Sequence, residues 1–171
     1  SHNLNSKEIK KLVKRYKKVC KGKNETIFIS GYSGVGKSSL IDELKNKIVN
    51  TNSYFISSKF DQYNKDLPYY AISEAFTILV KQLLAKNENE LEQIKSDLLK
   101  NLRGNGQILI DVIPSLVEII GKQKEVKKLP ANESENRFNQ VFINFIKTIA
   151  TKNTPLVLVV DDLQWMDLAT L

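Results

Sequence analysis

The chain has 171 residues, 42% of them hydrophobic and 26% charged, a balance that encloses a core and excludes a disordered polymer. No run reaches the roughly 18 uninterrupted apolar residues of a membrane helix; the longest candidate, Ile108 to Ile120, is broken by Asp111, Pro114, Ser115 and Glu118. A lone cysteine, Cys20, excludes an internal disulfide, and with no signal-peptide pattern the expected compartment is the reducing cytoplasm.

The net charge of +7 comes from one segment. Residues 1–25 hold nine Lys and Arg side chains against Glu8 and Glu25, while the other 17 basic and 17 acidic residues cancel. Within this basic stretch, residues 6–21 read as an amphipathic helix. Ile9, Leu12, Val13, Tyr16, Val19 and Cys20 recur at helical spacing with the lysines opposite, and Gly22 stops it. A face of this sign invites nucleic acid or an anionic membrane. Lysine without interleaved arginine and aromatic residues is a poor recognition surface, so a solvated face is expected and nucleic acid is not. His2, the only histidine, is assigned no role.

Thr26 to Ser30 is a short β-rich run leading straight into Gly31-Tyr32-Ser33-Gly34-Val35-Gly36-Lys37-Ser38-Ser39. From Lys37 the period becomes helical, with Leu40, Ile41, Leu44 and Ile48 on one face, and Tyr54-Phe55-Ile56 predicts a second strand. Residues 26–57 thus read as strand, loop, helix, strand. A helical region over 66–152 follows. Pro68 suits a helix start, where its missing N–H is harmless. Ala71, Ile72, Ala75, Phe76, Leu79, Val80, Leu83 and Leu84 keep the period after it. Leu91, Ile94, Leu98 and Leu99 mark another helix, ended near Gly104. Ile108 to Ile120 fits either a strand followed by a helix from Pro114 or a kinked helix, with helix favoured. Lys122 to Pro130 reads as an exposed loop. Glu133 to Ala150 is amphipathic, with Phe138, Val141, Phe142, Phe145, Ile146 and Ile149 inward. Over 156–171, five apolar residues from Leu156 to Val160 predict a strand buried on both faces. Asp161, Asp162 and the start of another helix come after it. Strands separated by helices give an α/β layer fold with a parallel sheet, in one domain over 1–171.

Gly31 to Ser38 satisfies G-x-x-x-x-G-K-[ST], the P-loop pattern, between a predicted strand and a predicted helix. The loop must curl so that successive N–H groups face phosphate oxygens, and three of the chain's seven glycines lie in these eight residues. Gly31, Ser33, Gly34, Val35, Gly36, Lys37, Ser38 and Ser39 form the expected cradle. Lys37 supplies a cation for the β- and γ-phosphates, and Ser38 a hydroxyl for Mg²⁺. Mg²⁺ also needs an acidic oxygen where a buried strand emerges, which selects Asp161. Asp162 is then placed to orient an attacking water.

Together these elements resemble the Walker A and Walker B motifs of P-loop ATPases. The segments GYSGVGKSSLIDEL, YFISSKFDQYNKDLPYYAISEAF, NGQILIDVIP, NRFNQVFINFI and PLVLVVDDLQWMDLATL are similar to the AAA-type ATPase domain of large bacterial signalling proteins. There it sits beside serine/threonine kinase-like and histidine kinase domains, within the STAND group of signal-transduction ATPases. The resemblance covers almost the entire chain. It implies a three-layer P-loop NTPase fold, ATP with Mg²⁺ as cofactor, a conformational switch, and other domains or further copies as partners. The family's tryptophan after the two aspartates is present as Trp165, followed by Met166 in place of a small residue. Leu4 to Glu8 lacks the Gly and Arg of the family's Gly-Arg-Glu motif, and Asp162 stands where Glu is common. ATP over GTP follows from the resemblance and from the absence of an Asn/Thr-Lys-x-Asp guanine-reading motif.

Family members continue past the position of Leu171 with a strand carrying a γ-phosphate sensor, another strand and a helical lid. The resemblance therefore implies an N-terminal portion of the core, with a large helical insertion between the second strand and the Walker B strand. It also implies weak or no hydrolysis by this chain alone. A non-catalytic nucleotide-binding interaction module is the second reading. A P-loop small-molecule kinase is the third, disfavoured because the only arginines are scattered at 15, 103 and 137. Arg137 reads as an arginine finger or, preferably, as a helix-surface ion pair with Glu133. Lys59 to Gln62 and Pro68-Tyr69 fit equally a loop near the γ-phosphate and a turn whose Phe60 and Tyr69 plug the core.

Overall fold

The computed structural model describes residues 2–23, 36–59 and 69–161. The predicted strand Thr26–Ser30, the loop residues 31–35, Phe60, Pro68 and everything after Asp161 lie outside them. The chain divides into two compact units, Ser1–Tyr54 with Thr151–Leu156, and Phe55–Ala150 with Val157–Leu171.

In the first unit, α1 (His2–Val19) packs on α2 (Lys37–Ile48). Helix α1 begins four residues before the predicted start, and Ile9, Leu12 and Tyr16 are its buried stripe while Lys7, Lys10, Lys11, Lys14 and Lys17 are exposed and Lys18 is half-buried. Leu40, Leu44 and Ile48 answer it at steps of four residues, one seam along α2. Gly22, at φ 84°, closes α1. Its N–H donates to the Val19 carbonyl at 2.8 Å and the Lys23 N–H reaches back to Lys18 at 3.2 Å, the paired bonds of a Schellman ending. The Thr51 hydroxyl spends its one proton on the Ile48 carbonyl. The Tyr16 hydroxyl, 2.7 Å away, is therefore the donor to Thr51, and it ties α1 to the end of α2.

The strands β1 (Tyr54–Lys59) and β2 (Leu156–Asp161) pair in a small parallel sheet. The Tyr54 N–H donates to Pro155 at 2.8 Å and sets the register. Along β1, Tyr54, Ile56 and Ser58 are buried and Ser57 is exposed, the alternation of a strand with one covered face. The expectation for β2 is corrected. Leu158 is 45% exposed and Leu156, Val157, Val159 and Val160 are half-buried, so the strand is not enclosed on both faces. An apolar run specifies a strand in need of cover without supplying the cover, and among the described residues β2 pairs with β1 alone.

The second unit is mainly helical. Between β1 and β2 come α3 (Tyr70–Leu84), α4 (Glu88–Leu102), α5 (Gly106–Val112), a 3-10 turn (Pro114–Leu116), α6 (Val117–Ile120) and α7 (Ala131–Ile149). Phe76, Leu79, Leu83, Leu98, Leu109, Leu116 and Phe145 are fully enclosed. Phe76 meets Phe142 edge-on at 5.0 Å and Phe145 at 5.8 Å, joining α3 to α7. Tyr69, half-buried, lies 4.5 Å from Phe138, a ring contact with α7. Phe142 and Ile146 are half-buried, and Leu99, expected inside, is 39% exposed. The stretch 108–120 is helical with a break. Ile113 takes φ −123°, ψ 78°, because a residue before proline is pushed out of the helical region.

Residues 121–130 carry no regular structure yet are held at both ends. Gln123 Nε2 donates to the Ile120 carbonyl at 2.9 Å, and its side chain lies where a Cβ on Gly106 would fall, 2.8 Å away. Arg137 donates to the Lys127 carbonyl at 2.7 Å, so its partner is this loop and not Glu133, correcting the expected ion pair. Asn87 caps α4 by accepting from the Glu90 N–H at 2.9 Å. At the other end of α4, Arg103 is left-handed with φ 50°.

Truncating the enclosed Phe145 to Ala should cost about 3–5 kcal/mol, read as a shift of the urea midpoint. Arg103→Gly should instead stabilise the chain by roughly 0.5–1 kcal/mol, because relief of the left-handed strain exceeds the added freedom of the unfolded chain. Thermal or urea melting of that variant checks the sign.

Candidate phosphate-binding site

Gly36 is the residue before α2 and holds φ 95°, ψ 19°, a left-handed conformation. A Cβ there would meet nothing within 4 Å, so the need for glycine is conformational and not one of space. Its carbonyl accepts the first helical bond, from the Leu40 N–H at 3.0 Å. The N–H groups of Lys37, Ser38 and Ser39 precede that bond and belong to the first turn, whose donors have no acceptor within α2 itself. Gly36 brings no side chain to cap them, and the first turn contains no acidic residue. Lys37 is half-buried, and Ser38 and Ser39 are exposed. The result is a helix start with positive partial charge, two surface hydroxyls and an adjacent ammonium. This donor set fits a phosphate chain, and the Ser38 hydroxyl is a hard oxygen of the kind Mg²⁺ accepts.

The remaining expected cradle residues, Gly31, Ser33, Gly34 and Val35, lie outside the described residues, as does Asp162. Asp161 is the last residue of β2, at the carboxyl edge of the parallel sheet. Ser38 belongs to the first unit and Asp161 to the second. Sequence reasoning passed over Ser58, near the same edge on β1. It is only 5% exposed, and its hydroxyl has no hydrogen-bond partner among the described residues. The alternation Tyr54, Ile56, Ser58 was the available signal, since it puts a hydroxyl on the covered face. Among the described residues no group of three or more His, Cys, Asp or Glu side chains could hold a metal ion. No helix among them is long and apolar enough to cross a membrane.

Comparison with known proteins adds three relatives. The chain is 44% identical over 161 residues to hybrid signal transduction histidine kinase G of Dictyostelium discoideum, covering 94% of this chain and 5% of that protein. It is 24% identical over 157 residues to histidine protein kinase 1 of Candida albicans, covering 82% of this chain and 6% of that protein. A shorter match, 32% over 93 residues, joins 46% of the chain to 16% of ABC transporter G family member 4 of Arabidopsis thaliana. The chain thus spans a small fraction of the length of each of these relatives. No solved structure matches it. The AAA ATPase domain family matches over residues 6–171, nearly the full length. With a glycine-led helix start at Gly36–Ser39 inside that match, the chain belongs to the AAA ATPase domain family.

Proposed function

We propose that this chain is the Mg·ATP-binding module of a STAND-type signalling ATPase, a nucleotide-dependent switch acting on other domains of a larger cytoplasmic protein or on further copies of itself. The observation that carries the reading is the P-loop run whose Gly36 is left-handed and immediately precedes α2. Gly31, Ser33, Gly34, Val35, Gly36, Lys37, Ser38 and Ser39 cradle the phosphates through backbone N–H groups. Lys37 neutralises charge on the β- and γ-phosphates, where a desolvated ammonium gains most. Ser38 and Asp161 would hold Mg²⁺, which would offset the negative charge of the phosphates. Asp162 orients water.

Similarity to two histidine kinases supports a signalling role. The family match over residues 6–171 supports ATP as the ligand. Slow hydrolysis follows from the arm of Asp162, one methylene shorter than the Glu common at this position, which holds an attacking water less well.

Calorimetric titration of ATP, ADP and GTP, with and without Mg²⁺, tests binding. ATP should bind more tightly with Mg²⁺ present, and Lys37→Ala should weaken it roughly 10- to 100-fold, the worth of one charge-assisted contact. Equal affinity in wild type and Lys37→Ala would refute the reading. Phosphate release should stay below about one turnover per second, under the enzyme median near 10 s⁻¹, and turnover of several per second that Lys37→Ala abolishes would overturn the slow-hydrolysis part.

A further inference from the structure

The C-terminal ends of α4 and α7 border an open surface hollow of about 170 Å³ lined by Asn101, Arg103, Asn144, Lys147 and Thr148. Every lining side chain is polar, and none is acidic. Three of them are wired into a fixed frame. Thr148 donates its hydroxyl proton to the Asn144 carbonyl at 2.7 Å and accepts from Asn101 Nδ2 at 2.9 Å. Asn144 Oδ1 accepts from Gln140 Nε2 at 3.2 Å, which leaves the Asn144 amide N–H groups as donors. The two cations are different. Neither Arg103 nor Lys147 has an ion-pair or hydrogen-bond partner among the described residues. Like charges facing one hollow repel unless an anion lies between them. Arg103 is also held at φ 50°, beside Gly104 at φ 81°, so a bulky cation occupies a left-handed position that glycine would take without strain.

We propose that this hollow binds a phosphate-type oxyanion, with Arg103 and Lys147 as its charged donors and Asn144 as a neutral one. A guanidinium offers two parallel N–H groups to such a group, and an ammonium adds a point charge. The site is built wholly from the second unit and shares no residue with the P-loop. The competing role for the same cations is to complement the negative helix ends of α4 and α7. That role affects stability and requires no anion.

The test is NMR of the full chain carrying Lys37→Ala, which blunts phosphate binding at the P-loop, titrated with inorganic phosphate against sodium chloride at matched ionic strength. Expected are saturable shifts of the Arg103 guanidinium and Asn144 amide resonances with phosphate and none with chloride. Arg103→Asn, which keeps a residue tolerant of left-handed backbone, and Lys147→Gln should each weaken binding at least about fivefold, and the double variant should abolish saturation. A second arm uses an acetylated phosphoserine amide. Affinity above that of inorganic phosphate assigns the site to a phosphorylated side chain, and equal affinity to a free anion. Shifts that follow ionic strength alone, or that persist in the double variant, overturn the proposal. So does loss of melting temperature in the variants without any phosphate-dependent shift in the parent. Nucleotide binding measured on the chain with Lys37 intact reports on the P-loop separately.

Discussion

The first turn of an α-helix presents backbone N–H groups that nothing earlier in the helix can satisfy. In α2 the residue at the cap position brings no side chain to satisfy them and the first turn brings no carboxylate. An array of this kind becomes an anion site only if the helix is held still, because the donors are directional and the macrodipole acts within a turn of its end. The rest of the first unit supplies that restraint. Ile9, Leu12 and Tyr16 of α1 bury the Leu40, Leu44 and Ile48 stripe, and the Tyr16–Thr51 bond anchors the far end of α2. The basic helix, whose charge draws the eye in the sequence, thus earns its place through its apolar side. Lys7, Lys10, Lys11, Lys14 and Lys17 remain exposed.

The second unit solves a different problem. Its core is made by helices, with Phe76, Phe142 and Phe145 binding α3 to α7 and Leu98, Leu109 and Leu116 filling beneath. The two strands described, β1 and β2, would be marginal alone, since such a pair buries too little surface. A bond from Gln82 Nε2 to the Phe55 carbonyl at 2.9 Å fastens β1 to α3 instead. The carboxyl edge that carries Asp161 and the neighbouring Ser58 is thereby attached to the helical block.

The long helices were legible because their apolar residues repeat over many turns. α3 and α7 each show that repeat, and their ends fall within two residues of the pattern for α7 and close after Pro68 for α3. The break at Ile113 was legible in part, since proline forbids a continuous helix yet leaves open what precedes it. Burial of β2 was not legible. Composition records a strand's appetite for cover, and exposure depends on which neighbours are present. Arg137 illustrates a second limit, because its partner is a backbone carbonyl, which every residue has and no sequence pattern marks. Around the candidate site, Gly36, Lys37 and Ser38 were legible from spacing, since one short segment must provide turn, charge and helix start together. The Arg103–Lys147 hollow was invisible for the opposite reason: its residues come from two helices 44 positions apart, and only the packing of α4 on α7 assembles them.

The P-loop segment and the hollow would meet an anion by different physics. Backbone N–H groups at a helix start are already ordered, carry partial charge and lose almost no conformational freedom on binding. Arg103 and Lys147 carry full charges on long, exposed side chains, which must be immobilised and which salt screens over about 10 Å at 0.1 M. A backbone cradle therefore suits a ligand that must be gripped in one geometry. A pair of side-chain cations suits one that arrives and leaves, and whose presence is registered by small changes in how two helix ends sit. The left-handed backbone at Arg103 fits the second case, since the strain is local and the arginine stands immediately before a glycine that bears none of it.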